Sequence, residues 1–212
     1  MIIKTHMIEY KTGNIFTTKK QTIVNTVNTV GVMGAGLALI HKAMFPKMFQ
    51  QYKSYCKDGL FNVGQLWLYT KTNRWNVLNF PTKRHWKDRS EISIIEIGLT
   101  NLVKTYRQRG ITSLAIPLLG CHNGGLNEET VLPVMVRYLG QMEIPIEIWK
   151  NDWNIPNPIW EELYTACESE DTTFKRIVRQ CSCFEDLVKM PGVGKDTFGK
   201  EVNKIIQYEK DQ

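Results

Sequence analysis

The chain has 212 residues, of which 42% are hydrophobic and 23% charged, and its formal net charge is +6 at pH 7. This length suits one domain with an appendage or two small domains, and no apolar run reaches the roughly 18 residues of a membrane helix. The cysteines number 5 and form no Cys-x-x-Cys pair, which indicates neither a disulfide framework nor a zinc site. We therefore expect a cytoplasmic protein with reduced thiols, no signal peptide and no membrane partner.

Charge is distributed unevenly along the chain. Residues 1–150 contain 19 Lys and Arg against 9 Asp and Glu, or +10, whereas residues 151–212 contain 8 against 12, or −4. Because basic side chains release counterions from nucleic-acid phosphates, the first part is suited to a polyanion. A solvated basic face is the alternative interpretation.

Strands and helices alternate in the first half of the chain. Strands are predicted at 7–10 and 23–28, helices at 37–45 and 46–56, and further strands at 65–69 and 75–80. The second strand runs into the glycine-rich turn Gly31-Val32-Met33-Gly34-Ala35-Gly36, and a helix follows. Glycines permit positive φ angles and a close backbone approach, while the N–H groups that start a helix point at negative charge. The pattern predicts a phosphate-binding loop, although its spacing is not the dinucleotide fingerprint.

The second half continues the alternation. A helix is predicted at 91–109 with a stop at Gly110, followed by a strand at 114–117, a helix at 128–139 and a strand at 144–149. This order predicts an α/β fold, a three-layer α/β/α sandwich with a mixed central sheet. Residues 151–158 are predicted to be a linker, and residues 159–212 a small helical C-terminal extension.

Within the extension, residues 183–209 resemble a helix-hairpin-helix, a motif whose glycine hairpin donates backbone N–H groups to DNA phosphates. Phe198 departs from the small residue that this motif carries after threonine, and the extension is acidic. An ordinary Pro-Gly turn between packing helices is the other interpretation. A P-loop is rejected because its glycine spacing and preceding strand are missing.

Three loops, each following a predicted strand, carry the resemblance to a known family. They are Val27-Asn28-Thr29-Val30-Gly31-Val32-Met33-Gly34, Asn79-Phe80-Pro81-Thr82-Lys83-Arg84-His85-Trp86, and Ile116-Pro117-Leu118-Leu119-Gly120-Cys121-His122-Asn123-Gly124-Gly125-Leu126. In this order and spacing they resemble a macrodomain, specifically the DarG-like branch, whose members remove ADP-ribose from DNA bases. The resemblance covers residues 8–150 and implies a macrodomain over residues 1–150.

The resemblance implies an enzyme, a DNA ADP-ribosyl glycohydrolase that reverses the thymidine modification made by a DarT-type toxin. It implies no metal and no cofactor, with ADP-ribose as ligand or product. The implied partners are ADP-ribosylated DNA, expected to be single-stranded, and a cognate toxin bound through the acidic tail, since DarG-like antitoxins can carry a second toxin-binding region. Two alternatives remain: a non-catalytic ADP-ribose-binding module, and a hydrolase of a small ADP-ribose derivative, for which the basic core has no evident purpose.

Lys83 is the candidate catalytic residue, because it matches the lysine that the family uses at the distal ribose. Its role is either nucleophilic or electrostatic, and a nucleophilic amine requires burial or a neighbouring cation such as Arg84 to lower its pKa from about 10.4. A surface lysine in a phosphate-attracting loop is the alternative. By resemblance, Asn28 faces the same ribose and is the second catalytic candidate.

The remaining ADP-ribose contacts are implied in a segment near the adenine, in the second strand and in two glycine loops. They are Asn14, Ile15, Asn25, Gly31, Val32, Met33, Gly34, Ala35, Gly36, Pro117, Gly120, Cys121, His122, Asn123, Gly124, Gly125 and Leu126. Asn14 stands where many macrodomains use an aspartate for the adenine amino group, so weaker adenine recognition is expected. His122 stands where related loops often have glycine, and a solvent-facing histidine is the alternative to a ligand contact. Cys121 is expected to be a small buried thiol.

A basic segment follows Lys83 and is predicted to bind DNA. Its residues are Arg84, His85, Trp86, Lys87 and Arg89. The cations suit phosphates, and the two aromatic rings suit stacking on a base. A core position for Trp86 is the alternative, but the charges on both sides disfavour it.

Overall fold

The computed structural model describes residues 7–152, 157–167, 173–191, 193 and 199–202. A six-stranded sheet with the order β1-β6-β5-β2-β4-β3 forms its centre. The strands are β1 (Ile8–Gly13), β2 (Thr22–Val27), β3 (Trp67–Tyr69), β4 (Asn76–Pro81), β5 (Leu114–Pro117) and β6 (Ile146–Asn151). β3 is antiparallel to β4, and the other neighbours are parallel. The predicted mixed sheet is confirmed.

Helices cover both faces of this sheet. They are α1 (Gly36–Met44), α2 (Pro46–Lys57), α3 (Ile92–Thr105), α4 (Glu128–Leu139), α5 (Pro158–Ala166), α6 (Thr173–Val178) and α7 (Phe184–Lys189). Successive strand residues point to opposite faces, so Val77 joins an apolar cluster with α1 and α2 while Leu78 joins one with α3 and α4. The fold is the predicted three-layer α/β/α sandwich.

Element ends differ from the sequence predictions where long-range pairing sets them. β3 starts at Trp67 instead of residue 65, because its pairing with β4 spans only Trp67–Tyr69. β6 runs to Asn151, past the predicted end at 149, because β1 pairs with it as far as Gly13. α3 ends at Thr105, and turns continue the predicted helix to Gly110, whose φ is +69°.

The extension packs onto the main fold. Ile159, Trp160 and Leu163 of α5 are buried and share one apolar cluster with Phe16. Trp160 also packs edge-on against Phe184, with ring centroids 5.2 Å apart. Residues 153–156 of the predicted linker at 151–158, and residues 192, 194–198 and 203–209 of the possible helix-hairpin-helix at 183–209, lie outside the described residues, so the domain division stays a prediction. None of the helices that the structure describes has the length and apolarity to cross a membrane.

Candidate functional site

A cavity of about 430 Å³ opens where four neighbouring parallel strands end. Asn28 follows β2, Lys83 follows β4, Leu118 follows β5 and Asn151 ends β6, and all of them line the cavity. The other lining residues lie in loops, at the ends of β2 and β5 and in the first turn of α1: Thr26, Val27, Val32, Gly34, Ala35, Gly36, Leu37, Ala38, Thr82, Trp86, Pro117, Gly120, Cys121, His122, Asn123 and Gly124. Open α/β sheets bind ligands at this carboxyl edge. The predicted loops therefore meet around one cavity.

The glycine loop leads into the N-terminus of α1 at the cavity wall. Gly31 and Gly36 have φ angles of +77° and +53°, which a residue with a Cβ adopts only with strain. Ala35 is the N-cap and supplies no side-chain hydrogen bond, so the first N–H groups of the helix lack a capping partner from that residue. These groups and the helix dipole make this wall suitable for an anion.

Asn28 holds the glycine loop in shape. Its Nδ2 donates to the Val32 carbonyl at 2.6 Å, and its Oδ1 accepts from the backbone N–H groups of Val30 at 3.0 Å and Val32 at 3.3 Å. The Tyr52 hydroxyl donates to the Asn28 carbonyl at 2.8 Å and reaches Oδ1 at 3.1 Å. Burial raises the pKa of Tyr52 far above its usual range, which keeps that hydroxyl a donor. The amide of Asn28 is thus a loop-positioning group in this structure, and its predicted ribose contact stays a prediction.

Lys83 joins the two loops beside the cavity. Its Nζ donates to the carbonyl of Asn123 at 2.8 Å and to those of Trp86 and Asp88, both at 3.2 Å. Three donated bonds match the three N–H groups of an ammonium ion. Partial burial lowers the pKa of Lys83 and outweighs the opposing influence of Asp88. The side chain is a half-buried cation in the cavity wall, which differs from an ordinary surface lysine.

The second glycine loop is bonded to the segment that carries Lys83. Ser90 N donates to the Gly124 carbonyl at 2.8 Å, and Arg89 Nη2 donates to the Gly125 carbonyl at 3.2 Å. With the Lys83 bond to Asn123, three successive carbonyls accept from one segment. This loop also approaches α1, because a Cβ on Gly36 would lie 2.9 Å from Asn123 Nδ2. The site is one bonded assembly of three loops.

Two residues of the second loop have unusual chemistry. His122 is exposed, lines the cavity and has a φ of +54°, a value that a glycine adopts more easily. Burial raises the pKa of the half-buried Cys121 thiol, and Glu128 adds to that effect. The thiol is therefore protonated near neutral pH and weakly nucleophilic. Among the residues covered by the structure, no cluster of three or more His, Cys, Asp or Glu could hold a metal ion.

Some predicted ligand residues do not line the cavity. They are Asn14, Ile15, Asn25, Gly31, Met33, Gly125 and Leu126. Asn14 Oδ1 accepts from Phe16 N at 3.1 Å, and the buried Asn25 Nδ2 donates to Asn79 Oδ1 at 2.9 Å. These amides are used inside the protein, and their contacts with a ligand remain predictions.

Other lining residues were missed from the sequence. Thr26, Thr82 and Leu118 lie at or just beyond the end of a parallel strand, and Asn151 is the last residue of β6. A rule that selects the residues at the carboxyl end of each parallel strand would have found them.

The basic segment is divided between the cavity and its surroundings. Trp86 lines the cavity and is 48% exposed, and Lys87 Nζ lies 5.1 Å from its ring centroid. Arg84 pairs with Glu91 at 3.4 Å, and Arg89 bonds to the second glycine loop. The alternative of a core position for Trp86 is wrong, and the predicted DNA contacts of this segment remain untested.

The sequence profile of the Macro domain matches residues 24–135. This chain belongs to the Macro domain family. The solved macrodomain of Mycobacterium tuberculosis DarG is 36% identical with a TM-score of 0.65, and the match covers 69% of this chain and 99% of that one. Thermosipho africanus DarTG, solved in complex with ADP-ribose, is 37% identical with a TM-score of 0.65, over 74% of this macrodomain chain and 44% of the other.

A curated relative extends these similarities. A Thermosipho africanus protein named a DNA ADP-ribosyl transferase-DNA ADP-ribosyl glycohydrolase fusion is 41% identical over 65% of this chain and 40% of its own length. A Mycobacterium tuberculosis protein named a DNA ADP-ribosyl glycohydrolase is 39% identical over 64% of this chain. The chain spans about 40% of the length of the curated relatives it matches. The macrodomain is the shared part.

Proposed function

We propose that this macrodomain is a DNA ADP-ribosyl glycohydrolase, which releases ADP-ribose from modified thymidine in DNA. The observation that carries the proposal is the position of Lys83, a half-buried cation in the wall of the cavity and bonded to the second glycine loop. The DarG macrodomain at 36% identity and the fusion relative at 41% identity support the reaction class.

In the proposed complex, the two glycine loops hold the diphosphate. The N–H groups at the start of α1 and those of residues 120–123 serve as donors, because the N–H groups of Gly124 and Gly125 already donate to the Cys121 and His122 carbonyls. The distal ribose then lies at the Lys83 end of the cavity. The adenine contacts near Asn14 and Ile15 use backbone groups, because the Asn14 side chain already accepts from Phe16 N.

The reaction breaks the bond between C1″ of the distal ribose and the base nitrogen. The bonding electron pair leaves with the base, which takes a proton, and water supplies the hydroxyl that C1″ gains. As an electrostatic group, the Lys83 ammonium stabilises the departing base nitrogen or orients the ribose. As a nucleophile, neutral Nζ bonds to C1″ and water later displaces it, which requires Nζ to give up at least one of its three carbonyl partners.

The pH dependence of the rate distinguishes the two roles. The pKa of Lys83 lies below the 10.5 of a free lysine because of burial. A nucleophilic amine predicts that kcat rises as pH increases through that pKa, since the neutral form is active. An electrostatic role predicts the opposite, since the ammonium is lost. The measurement is kcat for ADP-ribose release across the alkaline range, with protein stability checked at each pH.

Substitution of Lys83 tests the proposal. We expect Lys83→Ala to lower kcat by roughly 100-fold or more, as removal of one preorganised catalytic group does elsewhere. Lys104→Ala is the control, since Lys104 is an exposed cation on α3 outside the cavity and the basic segment, and its loss should leave kcat nearly unchanged. Equal activity of Lys83→Ala and wild type would contradict the assignment. Wild type that binds ADP-ribose by calorimetry but releases none would instead favour the reader alternative.

We also propose a partner of the transferase class, since the fusion relative carries both activities in its name. The substrate is proposed to be single-stranded DNA in the cytoplasm, and the cognate toxin to contact the acidic tail. Ile159, Trp160 and Leu163 of α5 are buried, so such a contact would use the exposed polar side chains of that helix. Its test is whether exposed acidic residues of the tail, such as Glu161, are needed for complex formation.

A further inference from the structure

An apolar rim lies at the mouth of the cavity. We define it as Val30, Val32 and Trp86, which are 46%, 37% and 48% exposed. Val32 and Trp86 also line the cavity. The two loops of the rim are joined, because Thr29 donates to the Arg84 carbonyl from its N–H at 2.9 Å and from its hydroxyl at 3.0 Å. These apolar side chains are thus partly exposed to water beside the cavity.

The backbone of Trp86 is hydrogen-bonded to the side chain of Lys83. The Trp86 carbonyl accepts from Lys83 Nζ at 3.2 Å, and the His85 ring lies 5.5 Å from the indole at an interplanar angle of 32°. A group that reacts beside Lys83 therefore has an aromatic surface next to it. Lys87 Nζ lies 5.1 Å from the indole centroid, in an exposed cation–π contact. Such a contact is weaker than the stacking of a base on an aromatic ring, so a nucleobase can displace this lysine.

We propose that the apolar rim receives the nucleobase that carries the ADP-ribose, unpaired and stacked on Trp86. This inference rests on the proposed function and adds how the base is recognised. A base inside a duplex is stacked on its neighbours and cannot reach an indole on the protein surface, so the substrate base is single-stranded or extruded. Recognition through a ring face tolerates neighbouring sequence, because every base has one.

Charge at the rim fits the strand on either side of that base. Arg84, Lys87 and Arg89 are exposed in the same segment as Trp86, in a part of the chain with a net charge of +10. Their contacts with phosphates would add affinity that falls with salt, whereas stacking persists at high salt. A single-stranded nucleic acid therefore fits the rim better than an ADP-ribosylated protein side chain, which presents neither a ring face nor a phosphate chain.

The test compares Trp86→Ala, Trp86→Phe and wild type on two probes at moderate salt. Affinity for free ADP-ribose is measured by calorimetry, and recognition of a short ADP-ribosylated single strand by kcat/KM for release. We expect Trp86→Ala to lower kcat/KM by ~10- to 100-fold while leaving ADP-ribose affinity and kcat almost unchanged. Trp86→Phe should recover most of the loss, since phenylalanine keeps a stacking surface. Lys87→Ala should alter only the salt-dependent part of kcat/KM for the ADP-ribosylated strand.

Three results would overturn the inference. They are an equal loss on both probes, which places Trp86 in the ADP-ribose site; no loss on either probe; and equal use of an ADP-ribosylated peptide. If wild type releases no ADP-ribose at all, the proposed function fails separately. Direct binding of the same oligonucleotide to wild type and Trp86→Ala then replaces kcat/KM, and a missing difference there would still reject the rim.

Discussion

At the scale of single residues, the site depends on how closely its loops approach each other. Ser90 is 5% exposed and packs against the second glycine loop, and a Cβ on Gly124 would lie 2.4 Å from Ser90 Oγ and 3.1 Å from its Cβ. The 2.4 Å distance to Ser90 Oγ is shorter than any real contact of a Cβ atom. Gly124 has no positive φ angle, so its requirement comes from Ser90 and not from its own backbone.

Gly124→Ala should therefore separate the loops and move Lys83 from its bond to Asn123. We expect the variant to lose at least ~10-fold in ADP-ribose release, since small displacements of reacting groups are costly. Ser90→Gly in the same chain removes both clashing atoms and should restore most of the activity. Ser90→Ala keeps the Cβ and should restore less. If Gly124→Ala alone and both double variants release ADP-ribose as fast as wild type, the loops do not need this close approach.

Many residues that line the cavity were predictable from the sequence, but their contacts were not. The resemblance to the family pointed to Lys83 and Asn28, which both line it. The Asn123 carbonyl on Lys83 is 40 residues away along the chain and the Tyr52 hydroxyl on Asn28 is 24 residues away, so neither contact follows from local sequence. Such contacts depend on the folded topology.

At the scale of elements, α5 ties the extension to the main fold. Its buried face, with Ile159, Trp160 and Leu163, belongs to the cluster that contains Phe16. Phe16 follows the Asn14-Ile15 segment, which is proposed to meet the adenine. The extension therefore packs next to the segment that is proposed to meet the adenine. Helical periodicity predicted most elements, whereas this docking joins residues more than 140 positions apart and left no local signal.

Leu163→Ala should destabilise the whole chain. Leu163 is fully buried, so truncation removes apolar contacts and leaves a cavity, at a cost of ~2–5 kcal/mol in the free energy of unfolding. Tyr164→Ala is the matched control. Tyr164 is the next residue of α5 and is 36% exposed, so its truncation should lower the free energy of unfolding much less. Urea unfolding followed by tryptophan fluorescence measures both. A small, equal effect would mean that the extension is not part of the cooperative fold.

At the scale of the whole molecule, one buried histidine links stability to pH. His41 is fully buried, its Nδ1 lies 2.8 Å from the Leu37 carbonyl, and Nε2 has no partner. Burial lowers its pKa from 6.5 to about 4. Between pH 6.5 and 4, His41 is protonated in the unfolded chain but neutral in the folded chain. The contribution of His41 to stability is therefore complete above pH 6.5 and falls as pH decreases towards 4.

The expected loss from His41 alone is roughly 2–3 kcal/mol across that interval. His41→Gln replaces the ring by an uncharged amide, so the variant should lose less stability than wild type between pH 6.5 and 4. Parallel urea titrations at several pH values give the difference, which cancels the carboxylates common to both chains. Identical pH slopes would show that His41 does not titrate on unfolding.

Removal of ADP-ribose from DNA is the activity proposed for this macrodomain. The most direct measurement incubates wild type with a single-stranded oligonucleotide carrying ADP-ribose on one thymidine and follows both products by mass spectrometry. We expect an unmodified oligonucleotide together with free ADP-ribose in equal amounts. Recovery of the modified oligonucleotide intact, from protein that binds ADP-ribose in the same buffer, would contradict it.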